Sequence, residues 1–326
     1  MKTPLYREAI THSWQLVWKH KMLWLFGLFA AFLGQMGLMD LLTKVSFASS
    51  KYTYPSWVSW PQVMQDLVSG MGFFSLSIDG WTWLVWLILI LLGLCITTVV
   101  VAVVSQGALI DACAQSAKDK GLPSVSQAWH VGVKHFWPLF VLNLLKKIVM
   151  AGLAGAVGYS VLNFVLQSSG WGFLLFLVLF LLSVLVGLVL SFLVVYAAGY
   201  VVIEKYNFKE AVEAAWMLFI EHWLVSIEVG LLVLFLNILL GIVVFLGFWI
   251  LFLPVAVVWF ISVFTANSAL WISGLLAGIL IFLVFVVWVG SIFSAFVTSI
   301  WTYLFMKMHK HGIKSRLLHW SGHHRI

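Results

Sequence analysis

Charged side chains are scarce in this chain, so the few set within long apolar runs mark where chemistry could occur. Glu228 is the one charge between Trp223 and Thr265. It lies six residues past His222, roughly 9 Å along a helix, while Lys146 and Lys147 lie eleven and twelve past His135, roughly 16–18 Å in. A carboxylate and an ammonium facing each other across two helices would make a buried ion pair in a polar cavity, able to hold an ion or a lipid headgroup. The plainer arrangement keeps Glu228 near the interface and lets the lysines snorkel to the cytoplasmic headgroups, and the sequence favours it. A Glu228→Gln variant separates the two, because a paired site cannot lose its carboxylate unnoticed. Asn143 and Asn237 are expected to make hydrogen bonds between helices.

A second set of residues recurs. Trp14 and His20 in WQLVWKH, Trp129 and His135 in WHVGVKH, and Trp216 and His222 in WMLFIEH share one spacing, with Lys or Glu before each His. Imidazoles there could switch protonation near neutral pH, but a polar anchor at headgroup depth is the simpler role. A basic tail adds His309, His311, His319, His323 and His324. Zinc or copper could be held by such residues. The neighbouring lysines and arginines oppose a cation, however, and suit contact with anionic lipids at about 1 kcal/mol per basic residue. No phosphate loop, dinucleotide fingerprint or nucleophile motif is present, so no metal, cofactor or catalytic residue is expected.

The elements that must position these residues are membrane helices. Hydrophobic residues make up 63% of the chain and charged residues 9%, with a mean hydropathy of +1.09. Several apolar runs exceed 18 residues, which predicts an all-α polytopic membrane protein and excludes an alternating barrel. Each Trp–His segment reads as an amphipathic helix on the membrane surface that opens a pair of spans. Lys209–Trp223 shows this most clearly, with Val212, Ala215, Trp216, Phe219, Ile220 and Trp223 on one stripe. In the first segment Leu5, Ala9, Trp14 and Val17 fall on the apolar side. Spans are expected over about 22–42, 81–109, 136–166, 171–203, 223–247 and 275–306. Residues 43–80 should rest at the interface with a short stripe from Trp60 to Met71.

Pro254 removes a backbone donor, which predicts a break around 247–254 and a half-helix or interfacial piece over 255–264. Thr265–Ser268 reads as the turn before the last span. Small residues spaced four apart over Ala151–Gly158 predict a face packed tightly on a neighbour, and Ser183, Gly187 and Ser191 form a second small stripe.

The result is one transmembrane domain over 1–326, with repeat units at about 3–113, 122–204 and 207–306 and a tail at 307–326. With six spans, sixteen of the 18 Lys and Arg residues fall on the side of the amino terminus, leaving Lys44 and Lys51 opposite. That bias places both termini in the cytoplasm of an inner-membrane protein. A seventh span over 246–264 would send the basic tail outside. Three similar units that cannot bury their own faces imply a compact bundle with approximate threefold internal relation.

The passage VVYAAGYVVIEKYNFKEAVEAAWMLFIEHWLVS (Val194 to Ser226) resembles the repeated unit of the membrane domain of bacterial glycerophosphoryl diester phosphodiesterases and of related six-span inner-membrane proteins. The resemblance implies a six-helix membrane domain. In that family the phosphodiesterase activity belongs to a separate soluble barrel for which this chain has no room, so enzymatic function is not implied.

These features point to a non-enzymatic membrane module with an accessory, scaffold or lipid-organising role. Its expected partners are the bilayer, anionic lipids at the cytoplasmic face and other membrane proteins. No basic module stands clear of the membrane for nucleic acid. A small transporter or channel built around Glu228 is the alternative, and a membrane-embedded lipid enzyme is third.

Overall fold

The computed structural model describes residues 5–31, 33, 78–118, 121–167, 170–265 and 268–311. The described residues are helical throughout: α1 (Leu5–Lys19), α2 (Met22–Ala31), α3 (Ile78–Ala117), α4 (Val125–Lys134), α5 (Phe136–Gln167), α6 (Gly170–Ile203), α7 (Phe208–Glu221), α8 (Trp223–Thr265) and α9 (Ser268–His311). Among them α3, α5, α6, α8 and α9 are long and apolar enough to cross a membrane, while α2 is a shorter apolar helix. The expected first span runs on beyond α2, outside the described residues. The interfacial stretch before Ile78, the turn residues 266–267 and the tail histidines 319, 323 and 324 also lie outside them.

The short helices begin where their side chains can satisfy free backbone donors. Ser124 caps α4: its Oγ accepts from the Gln127 N–H at 3.3 Å, and Gln127 Oε1 accepts from the Ser124 N–H at 3.1 Å. Glu210 makes the matching return bond to the Asn207 N–H at 3.2 Å and so opens α7.

Each short helix then meets the following long or apolar helix at a histidine. His20, His135 and His222 each donate their backbone N–H to the residue four back, at 3.1, 3.2 and 3.0 Å. Their carbonyls accept from Leu23, Leu139 and Ser226 at 3.1, 3.3 and 2.9 Å. Backbone hydrogen bonds therefore run into and out of each joint.

α1 lies on α9, α4 on α3, and α7 on α6. The hairpins α2–α3, α5–α6 and α8–α9 are paired, and α3, α6 and α9 touch one another at the centre. Burial is concentrated in one half of these central helices: Ala102–Ala114, Phe192–Val202 and Ile292–Met308 supply most of the core. The far halves expose large apolar residues such as Trp86, Leu182 and Leu280. In a membrane that surface meets lipid.

Several expectations need correction. α8 is one unbroken helix through Pro254, with no half-helix at 255–264. In apolar surroundings no water can take up freed backbone groups, so continuing the helix past a proline costs less than unwinding it. The outer part of α9 secures it. A Cβ on Gly247 would fall on the Phe285 ring, and Cβ atoms on Gly274 and Gly278 would fall on Val258 and Val255. α9 begins and ends further out than the expected 275–306.

The stripe on α7 is also rotated. Ala211, Ala215 and Leu218 face the protein, whereas Trp216 is 48% exposed and Ile220 and Trp223 are comparably open. In α1 the buried set is Ala9, Ser13, Leu16 and Val17, and Trp14 lies exposed against Trp18 and Phe296. Each of these helices is apolar on two sides, one against the bundle and one exposed.

Candidate functional site

The small residues Gly152 and Gly155 of α5 do not close on a neighbour as expected, whereas Gly187 of α6 is buried against Met150. A Cβ added at Gly152 or Gly155 would meet nothing within 4 Å. Ala154, Val157 and Gly158 instead line a lateral cavity of about 720 Å³ between α5, α6 and α8. Ser183, Gly187 and Ser191 line it from α6, and Ile227, Gly230 and Leu234 from α8. The stripes remove side-chain volume from facing helices, and α8 stays too far from α5 to fill it. Phe192 and Trp301 wall the cavity towards the centre.

Lys146 is the one ionisable side chain in this lining. It is half-buried, whereas Lys147, one residue on, is exposed. Glu228 is half-buried next to the cavity-lining Ile227, but is not itself part of the wall. Lys146 and Glu228 are each engaged in a polar or electrostatic contact. The serine hydroxyl of Ser191 is turned inward to its own helix, donating to the Gly187 carbonyl at 2.8 Å. The cavity is therefore an apolar slot with a single ammonium.

Trp301, only 4% exposed, also borders a second space of about 40 Å³ at the centre of the bundle. Gln106, Ser294, Thr298 and Thr302 line that chamber, which has room for water. Beside it Asn143 Nδ2 donates to Gln106 Oε1 at 2.8 Å, tying α5 to α3 as expected of Asn143. Asn237 differs: its Nδ2 donates to the Val233 carbonyl one turn back in its own helix, at 2.9 Å.

The recurring positions do not converge on one site. His135 is buried, with Nδ1 2.9 Å from the Val131 carbonyl. His222 is half-buried at the α7–α8 joint, and its Nδ1 has no hydrogen-bond partner among the described residues. His20 sits at the α1–α2 joint, its pKa held below the usual histidine value first by burial and then by the neighbouring Lys19 charge. Trp129 packs against the core, while Trp14 and Trp216 face outward. His309 and His311 belong to α9. Cys95 is exposed and Cys113 buried, both as free thiols. Sequence reasoning missed the cavity because small-residue stripes signal close packing and void equally. No protein family, curated protein or solved structure matches the chain.

Proposed function

We propose that this chain is a non-catalytic inner-membrane module that holds a lipid laterally, with an acyl chain between α5, α6 and α8 and the anionic headgroup region at Lys146. The single observation that carries the reading is the 720 Å³ cavity walled by small and apolar residues with one ammonium. Its size lies within the roughly 300–1,000 Å³ of small-molecule sites, whose lining is characteristically apolar with few polar groups. An amine so placed attracts phosphate, and the wall replaces the lipid contacts an acyl chain would otherwise make.

The frame for this site is a six-span bundle of three units with both termini cytoplasmic. The equivalent joints at His20, His135 and His222, and the lean of α1, α4 and α7 on α9, α3 and α6, support the threefold reading. The charge bias of the loops supports the orientation, and the resemblance of Val194 to Ser226 to the phosphodiesterase membrane domain supports the architecture alone. Native mass spectrometry of the protein released from mixed-lipid membranes tests the function. Wild type should retain one anionic lipid, and both Lys146→Met and the cavity-filling Ala154→Phe should lose it. Equal retention by all three would overturn the proposal.

A second reading, a small transporter with a polar site near Glu228, draws on the central chamber of Gln106, Ser294, Thr298 and Thr302. It requires that chamber to join a polar path, and Trp301 stands between it and the lateral cavity. A proteoliposome flux assay distinguishes it: solute-dependent flux that Glu228→Gln abolishes would favour transport over lipid holding.

A further inference from the structure

A different cavity, of about 310 Å³, lies where the end of α6, the end of α7 and the last turns of α9 meet. Its polar lining is Tyr200, Tyr206, Glu221, His222 and His309, set among apolar residues of α7 and α9. Tyr200 and Tyr206 lie stacked with ring centroids 5.5 Å apart. The fold brings them together at the close of α6. The N–H groups of Glu204 and Tyr206 both donate to the Tyr200 carbonyl at 3.2 Å, and Lys205 takes a left-handed φ of 60°. This is the usual way a helix end folds back on itself, here placing Tyr206 over Tyr200. Tyr200 is fixed in turn by α9, with its hydroxyl 3.4 Å from His309 Nδ1 and its ring edge-on to Phe305.

Glu204 and Glu221 both lie within electrostatic reach of the Tyr200 hydroxyl. Glu204 stands 3.9 Å from His309 Nε2 and so has a partner whenever that imidazole is protonated. Glu221 lines the cavity and has no ion pair among the described residues. Of the nearby lysines, Lys307 lies 3.9 Å from Glu8 and over the Tyr303 ring, and neither it nor Lys205 lines the cavity. Ring faces and the Glu221 carboxylate around a shared space attract an organic cation.

We propose that this cavity binds an ammonium group, carried by a lipid headgroup or by a free amine, with Glu221 as counter-ion and the Tyr200–Tyr206 pair as the π surface. The site is distinct from the lateral cavity and stands or falls independently of it. The full chain in nanodiscs made only of phosphatidylglycerol is titrated with tetramethylammonium and followed by saturation-transfer NMR. In a second arm, nanodiscs containing phosphatidylcholine are probed with a photoactivatable choline headgroup. Saturable binding in the first arm identifies a free amine as sufficient, and labelling in the second arm alone identifies a lipid headgroup. In either case Glu221→Gln and Tyr206→Leu should each weaken binding about tenfold, and Glu213→Gln elsewhere on α7 should not. Thermal unfolding checks that the variants are folded. No saturable binding in both arms, or binding unchanged in folded Glu221→Gln and Tyr206→Leu proteins, overturns the proposal.

Discussion

The Tyr196 and Ser226 hydroxyls stand 2.7 Å apart, with both side chains fully buried between α6 and α8. Ser226 donates onward to the His222 carbonyl at 3.0 Å, which makes Tyr196 the donor to Ser226. This relay pins α8 to α6 at the α7–α8 joint. Ser226→Ala would leave a buried phenol without its acceptor and should cost about 1–3 kcal/mol. Tyr196→Phe keeps the Ser226–His222 bond and should cost about 1 kcal/mol. Denaturation of the two variants should rank Ser226→Ala as the less stable, and the reverse order would contradict the relay.

Gly132, inside the WHVGVKH segment, marks where α4 lies directly on α3. A Cβ there would fall on the Val104 carbonyl, and one on Gly107 would come within 3.0 Å of the Gly132 Cα. Gly132→Ala should therefore destabilise by about 1–3 kcal/mol through overpacking. Gly152→Ala, facing open space, should be neutral or stabilising by up to about 1 kcal/mol through helix propensity. Unfolding midpoints of the pair check the contrast.

The helices were legible because their signals are local. Apolar runs gave the long helices. The matched Trp and His positions located three joints that the hydrogen bonds share. Pro254 misled, because proline's effect depends on whether water is there to receive the freed carbonyl. The stripe on α7 misled because a helix between protein and lipid is apolar on two sides, so its pattern does not say which side is the core. The lateral cavity was out of reach for a similar reason. Ala154, Gly158 and Gly187 encode thin helix faces, and only the placement of α8 decides whether a thin face is filled.

His20 gives a pH signature. Burial and the Lys19 charge hold its pKa below the ordinary value, so the folded state favours the neutral ring. Its contribution to stability is then present above the ordinary histidine pKa of about 6.5 and is lost as pH falls through that value towards the folded-state one. The effect is small, because the ring is only partly buried. NMR titration should place the His20 midpoint below that of an unfolded peptide, and His20→Gln should flatten the acid-side slope. A midpoint at or above the peptide value would contradict this.

The proposed orientation can be read with single cysteines in a background lacking Cys95 and Cys113. Gln127→Cys and Lys209→Cys should react with an impermeant maleimide only after the cytoplasmic face is opened, and Thr265→Cys should react from the outside of intact cells. Labelling of all three from one side would contradict the six-span arrangement.

The lateral cavity is the centre of the account, and electron cryo-microscopy of the protein in anionic-lipid nanodiscs tests it most directly. The account predicts elongated density between α5, α6 and α8, running along Ala154 and Gly187 with its polar end at Lys146. A gap closed by α8 packing directly on Ala154, Val157 and Gly158, with no lipid between, would contradict it.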